Sequence, residues 1–192
     1  MPRFRGSSEG RETVNKSRVL LAGSVLAVAS TLGATAPAAS ATPASAATAA
    51  GLPIPGVHYL RPAHAPDKCV TVHGWDNSTS ALIDQWTCAR QDNQRWNFLT
   101  NGPRYWVKSE SSNKCLDGKD IKQGRHVIQW PCKNGLNQAW NPVRRILGDG
   151  SDTWEIHVGT MCLDVAGAGK GNGARLILWK CTSAANQRFY MD

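Results

Sequence analysis

An all-β domain assembled from three similar units is the fold class this sequence predicts, and three observations carry it. Residues 86–96, 130–140 and 179–189 share one gapless pattern, W-x-C-x4-N-Q-x-aromatic. A further cysteine precedes each copy, in Cys69-Val70-Thr71, Cys115-Leu116-Asp117 and Cys162-Leu163-Asp164, so the first cysteines recur after 46 and 47 positions. Between these landmarks the apolar runs are short, as in Ala81-Leu82-Ile83, Val127-Ile128 and Leu176-Ile177-Leu178, and Gly, Asn, Asp and Ser clusters separate them. Within a unit nothing sustains a 3.6-residue apolar period, and many short strands with frequent turns fit a barrel.

Repetition at this period marks supersecondary units that bury a core only by packing on one another. Three copies suggest closure around a pseudo-threefold axis, with repeats at about 57–102, 103–148 and 149–192. The chain has 192 residues, and its first part is of another kind. Residues 1–18 carry five basic and two acidic side chains, and an apolar run from Val19 to Ala29 follows. Basic then apolar is the order of a secretory signal, and Ala39-Ser40-Ala41 and Ala44-Ser45-Ala46 both have the A-x-A form of a cleavage site. The run falls short of the roughly 20 residues that a membrane span needs, so membrane insertion is not expected. No cysteine lies near the cleavage region and no Arg-Arg pair precedes the run, which argues against a lipid anchor and the twin-arginine route. Residues 1–41 are thus read as a signal peptide, 42–56 as an Ala/Thr/Pro-rich leader that cannot form a core, and 57–192 as one extracellular domain.

The net charge is +8, of which residues 1–41 hold +3 and the remainder +5. Basic side chains of the body are scattered, with Arg144-Arg145 the only adjacent pair, so a solvated surface is expected and not a nucleic-acid face. All six cysteines lie in the body. In an exported protein disulfides are the default over thiol catalysis or metal binding. Of the 15 pairings open to six cysteines, the repeat favours one bridge per unit, Cys69–Cys88, Cys115–Cys132 and Cys162–Cys181. Each would stabilise by about 3 kcal/mol in the chain-entropy view.

The threefold Q-x-aromatic element, Gln94-Arg95-Trp96, Gln138-Ala139-Trp140 and Gln187-Arg188-Phe189, resembles that of the ricin B-chain-type lectins and related bacterial carbohydrate-binding modules. The resemblance spans essentially the whole body. It implies a β-trefoil with one shallow sugar pocket available per lobe, no cofactor and no catalytic residues. The leader resembles those of actinobacterial exported proteins, among which such modules accompany glycan-degrading enzymes, so a secreted enzyme is a partner to consider besides the glycan itself.

Sugar chemistry independently asks for the residues the repeat supplies. A monosaccharide offers hydroxyls that donate and accept, and an apolar face of C–H groups. A carboxylate, amides and an aromatic plate match these. By the resemblance, Asp117 accepts from two hydroxyls in the second lobe, Trp130 stacks, and Asn137 and Gln138 supply the remaining contacts. In the third lobe the same roles fall to Asp164, Trp179, Asn186 and Gln187. The first lobe departs from the pattern, because Thr71 stands in the aspartate position and forms weaker bonds than a charged acceptor. Trp86, Asn93 and Gln94 remain there, and Asp84 offers a carboxylate from the opposite wall where the other lobes have Ile128 and Ile177. A silent first lobe and a bivalent protein are therefore expected, with a weak first-lobe site built from Asp84, Trp86, Asn93 and Gln94 as the alternative.

Structural roles compete for several of these residues. Trp96, Trp140 and Phe189 are expected in the core. Gln94, Gln138 and Gln187 serve either the ligand or buried backbone groups, and Asp117 and Asp164 either the ligand or a turn. Asn77-Ser78-Thr79 is a glycosylation sequon without a glycosylating host, and Gly167–Gly173 reads as a flexible turn beside a pocket. His73, His126 and His157 are spaced too irregularly to announce a metal site. With the repeats filling the body, no room is left for a catalytic domain, and the rival to a lectin is a trefoil scaffold or protease inhibitor with decayed pockets.

Overall fold

A computed structural model describes residues 54–192. The signal segment 1–41 and most of the leader lie outside them. Among the described residues twelve strands form, four per lobe. The first lobe contributes β1 (Gly56–Pro62), β2 (Lys68–Val72), β3 (Ile83–Thr87) and β4 (Arg95–Asn101). The second contributes β5 (Arg104–Ser109), β6 (Cys115–Asp117), β7 (Ile128–Trp130) and β8 (Trp140–Ile146). The third contributes β9 (Asp152–Val158), β10 (Met161–Val165), β11 (Leu176–Lys180) and β12 (Arg188–Met191).

The outer strands of each lobe pair in the cyclic order β1, β4, β5, β8, β9, β12 and back to β1, all antiparallel. That closed path is a six-stranded barrel, which leaves no sheet edge to template association. The inner strands form three hairpins, β2–β3, β6–β7 and β10–β11. Single bridges Leu82↔Ile128, His126↔Ile177 and Asp84↔Arg175 link the hairpins in turn around the axis. Ile83, Val127 and Leu176 meet at this cap and are buried, and their backbones join through Ile83 N–H to Val127 O and Val127 N–H to Leu176 O. The architecture is a β-trefoil.

Period-two burial explains the barrel strands. Along β4, Trp96 and Phe98 point inward while their neighbours are partly exposed. Trp96, Trp140 and Phe189 are fully buried in one core, as the repeat required. The two indoles donate Nε1–H to Val70 O and Leu116 O, 2.9 Å in each case, so their polar atoms are satisfied where Phe189 has none to satisfy. Each expected disulfide forms, with Cα–Cα distances of 5.0, 5.0 and 5.1 Å. Every bridge ties the start of a hairpin's first strand to the residues just past its second.

Candidate functional site

In each hairpin the register places a lobe's ligand candidates together. Asp164 pairs with Ile177, Asp117 with Ile128 and Thr71 with Asp84, and the tryptophan stands two residues beyond the second partner. Paired residues and those at i+2 share a sheet face. A short 3-10 turn before the next barrel strand, Asp92–Gln94, Leu136–Gln138 or Ala185–Gln187, brings an asparagine and a glutamine behind that face.

The third lobe has the most open carboxylate. Asp164, Ile177, Trp179 and Asn186 line a cavity of about 350 Å³, together with Gly167 and Ala168. Asp164 Oδ2 accepts from Asn186 Nδ2 at 3.0 Å and Gln187 Nε2 at 2.8 Å. Oδ1 has no protein donor among the described residues and is not sealed from solvent. One oxygen is thus held and the other is presented. Burial raises the carboxyl above the ordinary aspartate range, opposed by the Gln187 and Asn186 donors and by His64. Trp179 is backed by Gly124 of the second lobe, where a Cβ would lie 3.8 Å from the indole.

The second lobe repeats the set with less room. Its cavity of about 200 Å³ is lined by Asp117, Ile128, Trp130 and Asn137, with Lys119 and Lys133. Asp117 Oδ1 accepts from Lys119 N at 2.6 Å and Asn137 Nδ2 at 2.7 Å, and Oδ2 from Gln138 Nε2 at 2.8 Å. The turn-capping alternative for this aspartate is therefore present alongside the amide clamp. Lys133 Nζ lies 5.8 Å from the Trp130 ring centroid and covers that face of the indole.

The first lobe lacks the aspartate but encloses the most space. Its cavity, about 500 Å³, is the largest of the three lobe pockets, and Trp75, Trp86, His73, Asn93 and Gln94 are among its walls. Asp84 does not supply a carboxylate to it. The Asp84 side chain is wholly buried, its Oδ2 accepting from His73 Nδ1 at 2.5 Å with Arg175 at 3.6 Å. Burial raises its carboxyl despite those two partners. Thr71 donates its hydroxyl to Cys69 O at 2.7 Å and accepts from Gln94 Nε2 at 3.1 Å.

The glutamines of the repeat act as clamps. Gln187 Oε1 accepts from Thr182 N at 2.7 Å and Thr182 Oγ1 at 3.1 Å, while its Nε2 donates to Lys180 O at 2.9 Å besides Asp164. Gln138 binds Lys133 N, Pro131 O and Asp117 in the same way. Both are fully buried and neither is among the residues lining its own lobe's cavity, so they sit behind the aspartate with backbone groups among their partners. Gln94 repeats the clamp around Ala89 N, Arg90 N and Thr87 O.

Several contributors have no signal in the pocket pattern. Gln85 is buried and donates to Gly169 O at 2.8 Å and Gly171 O at 3.0 Å, and Asn172 Oδ1 accepts from Thr87 N. The Gly167–Gly173 turn is thereby tied to the first lobe. Gln129 holds the equivalent loop through Asp76 O and Ser78 O. The only hint was that Gln precedes Trp in two of the three units. His157 lies beside Cys162 and Cys181, but both sulfurs are in a disulfide and no thiolate is available there to bind a metal. No helix among the described residues is long and apolar enough to cross a membrane.

A β-trefoil whose lobes each place an aromatic plate beside buried amides belongs to the class of lobed binding domains, with the pocket floor built on the inner hairpins. The model of the ricin-type beta-trefoil lectin domain-like family matches residues 55–130 and 93–179, and the chain belongs to that family. No curated protein matches the chain. Among solved structures, a designed threefold-symmetric protein, ThreeFoil, is 28% identical, with a TM-score of 0.63 over 71% of this chain and 97% of that one. The Macrolepiota procera ricin B-like lectin, solved in complex with lactose, has a TM-score of 0.61 at 18% identity over 71% and 94%. An exo-β-1,3-galactanase from Clostridium thermocellum gives 0.62 at 23% identity over 71% of this chain and 30% of that one. The latter two likenesses speak for the fold.

Proposed function

We propose that the protein is a secreted, non-catalytic carbohydrate-binding domain that takes galactose-type or xylan/arabinan-type sugars in shallow pockets, with the third lobe the stronger and the second the weaker site. The observation that carries this reading is the half-held carboxylate of Asp164 beside Trp179. Its anchored Oδ2 fixes the orientation of Oδ1, so Oδ1 accepts from sugar hydroxyls at little entropic cost. Trp179 stacks on the apolar face and Asn186 both orients the carboxylate and reaches the ligand. Gln138 and Gln187 act through the aspartates they hold.

In the second lobe the same chemistry requires Lys133 to leave the Trp130 face first. Catalysis is disfavoured by the pockets' composition. Glycoside hydrolysis ordinarily uses two carboxylates across the scissile bond, and Asp117 and Asp164 are each the sole acid lining their cavity. Lectin relatives in the family and the lactose complex of a similar fold support sugar as the ligand. Two weak sites on one domain gain strength on a polymer through multivalency. Residues 1–41 would direct export. A glycan array with the mature protein tests the reading: galactosides or arabinoxylan fragments are retained, and Asp117→Ala with Asp164→Ala releases the galactosides. An empty array defeats it.

A further inference from the structure

We propose that the Cys162–Cys181 disulfide of the third lobe is a thiol-exchange site, where a low-molecular-weight thiol adds to Cys181 while His157 moves the proton, and that this modification weakens the adjacent Asp164 pocket. Only the last part rests on reading that pocket as a sugar site.

The strand pattern brings the parts together. On β9, Glu155 and His157 stand two residues apart and share a face, and His157 is the register partner of Cys162 on β10. His157 Nδ1 lies 3.8 Å from Cys181 Sγ, and the ring has a nitrogen within 4.8 Å of Cys162 Sγ. On its other side, His157 Nε2 is 3.0 Å from Glu155 Oε2, which Arg145 Nη2 also meets at 3.0 Å. An ionised carboxylate only accepts, so Nε2 carries a hydrogen, and Nδ1 on the sulfur side is the ring position left to exchange a proton. The Glu155 side chain is 1% exposed, so the imidazole is oriented by a third group fixed beneath it, the arrangement that serves a sulfur nucleophile or leaving group.

The second lobe is an internal control. Cys132 and Cys181 are both exposed, and their partners Cys115 and Cys162 are both fully buried, so access alone does not separate the two bridges. Lys108 pairs with Cys115 as His157 pairs with Cys162, and Trp106 stands where the third lobe has Glu155. A lysine, with an ordinary pKa of about 10.4, keeps its proton through neutral pH, whereas an imidazole at about 6.5 gives and takes one. Cys132 Sγ meets the Asn113 carbonyl, at 3.9 Å. Among the described residues, Cys181 has the one disulfide sulfur with a side-chain nitrogen in hydrogen-bond reach.

The exchange balances without a further oxidant or reductant. The incoming thiol gives its proton to Nδ1 of the neutral ring, and the thiolate attacks the exposed sulfur of Cys181. A new S–S bond forms there as the Cys181–Cys162 bond breaks, the electron pair leaves on Cys162 Sγ, and the imidazole returns the proton to it. The products are a mixed disulfide on Cys181 and a thiol on Cys162. The broken bridge had joined two walls of the pocket. Cys162 pairs with Trp179, Asp164 lies two residues further on, and Thr182 beside Cys181 donates its N–H to the Gln187 that holds Asp164. Freeing Cys181 therefore loosens both the plate and the clamp.

The test exposes mature protein to limiting reduced glutathione, quenches it in acid and alkylates free thiols with N-ethylmaleimide before peptide mapping. Glutathione on Cys181 with N-ethylmaleimide on Cys162 is expected at least about tenfold faster than adducts of the Cys115–Cys132 bridge, and His157→Gln removes that lead. The purified adduct in an Asp117→Ala background should bind methyl β-galactoside or xylobiose, whichever the unmodified protein takes, at least about threefold more weakly. Equal rates at the two bridges of the wild-type protein, or a lead that survives in His157→Gln, overturn the exchange site. An adduct that binds its sugar as before overturns the coupling to the pocket. Unmodified protein that binds no sugar defeats the reading of the pocket and leaves the exchange site standing.

Discussion

Removing the Gln187 side chain separates a clamp from a ligand contact. Gln187 is fully buried and engages four groups, Thr182 N, Thr182 Oγ1, Lys180 O and Asp164 Oδ2, at 2.7 to 3.1 Å. In Gln187→Ala the exposed Thr182 groups turn to water at small cost. Lys180 O loses its donor in a partly buried site, and Asp164 loses one of two donors to its held oxygen. A neutral hydrogen bond contributes about 1 kcal/mol and one to a charged group about 2 kcal/mol, so the loss should be near 3 kcal/mol. For a domain of this size that lowers the melting temperature by roughly 10 °C. Sugar affinity should fall as well, by about fivefold to tenfold, because the carboxylate is no longer held in its binding orientation. Circular-dichroism melts and calorimetric titration with a galactoside read the two effects. A variant that melts within a degree of wild type but binds no sugar would refute the clamp and make Gln187 a direct contact.

Lys133→Ala should improve second-lobe binding by about twofold to fivefold, since an exposed cation over a ring is worth about 0.5–1 kcal/mol that a stacking sugar must displace; titration of the Asp164→Ala background isolates that lobe, and unchanged or weaker binding contradicts the occlusion. The raised Asp164 carboxyl predicts a pH dependence. The charged form accepts the hydroxyls, so third-lobe affinity is full well above the raised value and lost as pH falls through it, at a pH above the ordinary aspartate value of about 3.9. The stability contribution has the opposite sign. A carboxyl whose folded value is raised favours folding most when protonated, and that contribution declines as pH rises from the unfolded value through the folded one. Affinity that persists down to the ordinary aspartate range would show that burial does not govern this group.

The repeat made the trefoil legible because each strand, bridge and core aromatic recurs at a fixed offset. Trp96, Trp140 and Phe189 lie where the Q-x-aromatic pattern puts them, and the cysteines pair within units. The ranking of the lobes was not legible in the same way. The second and third lobes carry the same Asp, Trp, Asn and Gln, yet Lys133 covers the Trp130 plate and the two cavities differ, about 200 against 350 Å³. Such differences come from side chains outside the pattern. Asp84 was visible as a carboxylate on the pocket face, but only packing shows it spent beneath His73. The anchoring of the Gly167–Gly173 turn by Gln85 joins residues some 84 positions apart, a pairing no local pattern encodes.

The central claim is that Asp164 and Trp179 form a sugar site. Two-dimensional ¹H–¹⁵N NMR of the mature protein, following the Trp179 indole N–H and the Asn186 side-chain amide during titration with methyl β-galactoside, arabinose and xylobiose, addresses it most directly. The account predicts that at least one of these sugars shifts both signals saturably in wild-type protein and neither in Asp164→Ala, with the core Trp96 and Trp140 indole signals unmoved throughout. Titration of Asp164→Ala indistinguishable from wild type, or a Trp179 signal indifferent to every sugar, would contradict it.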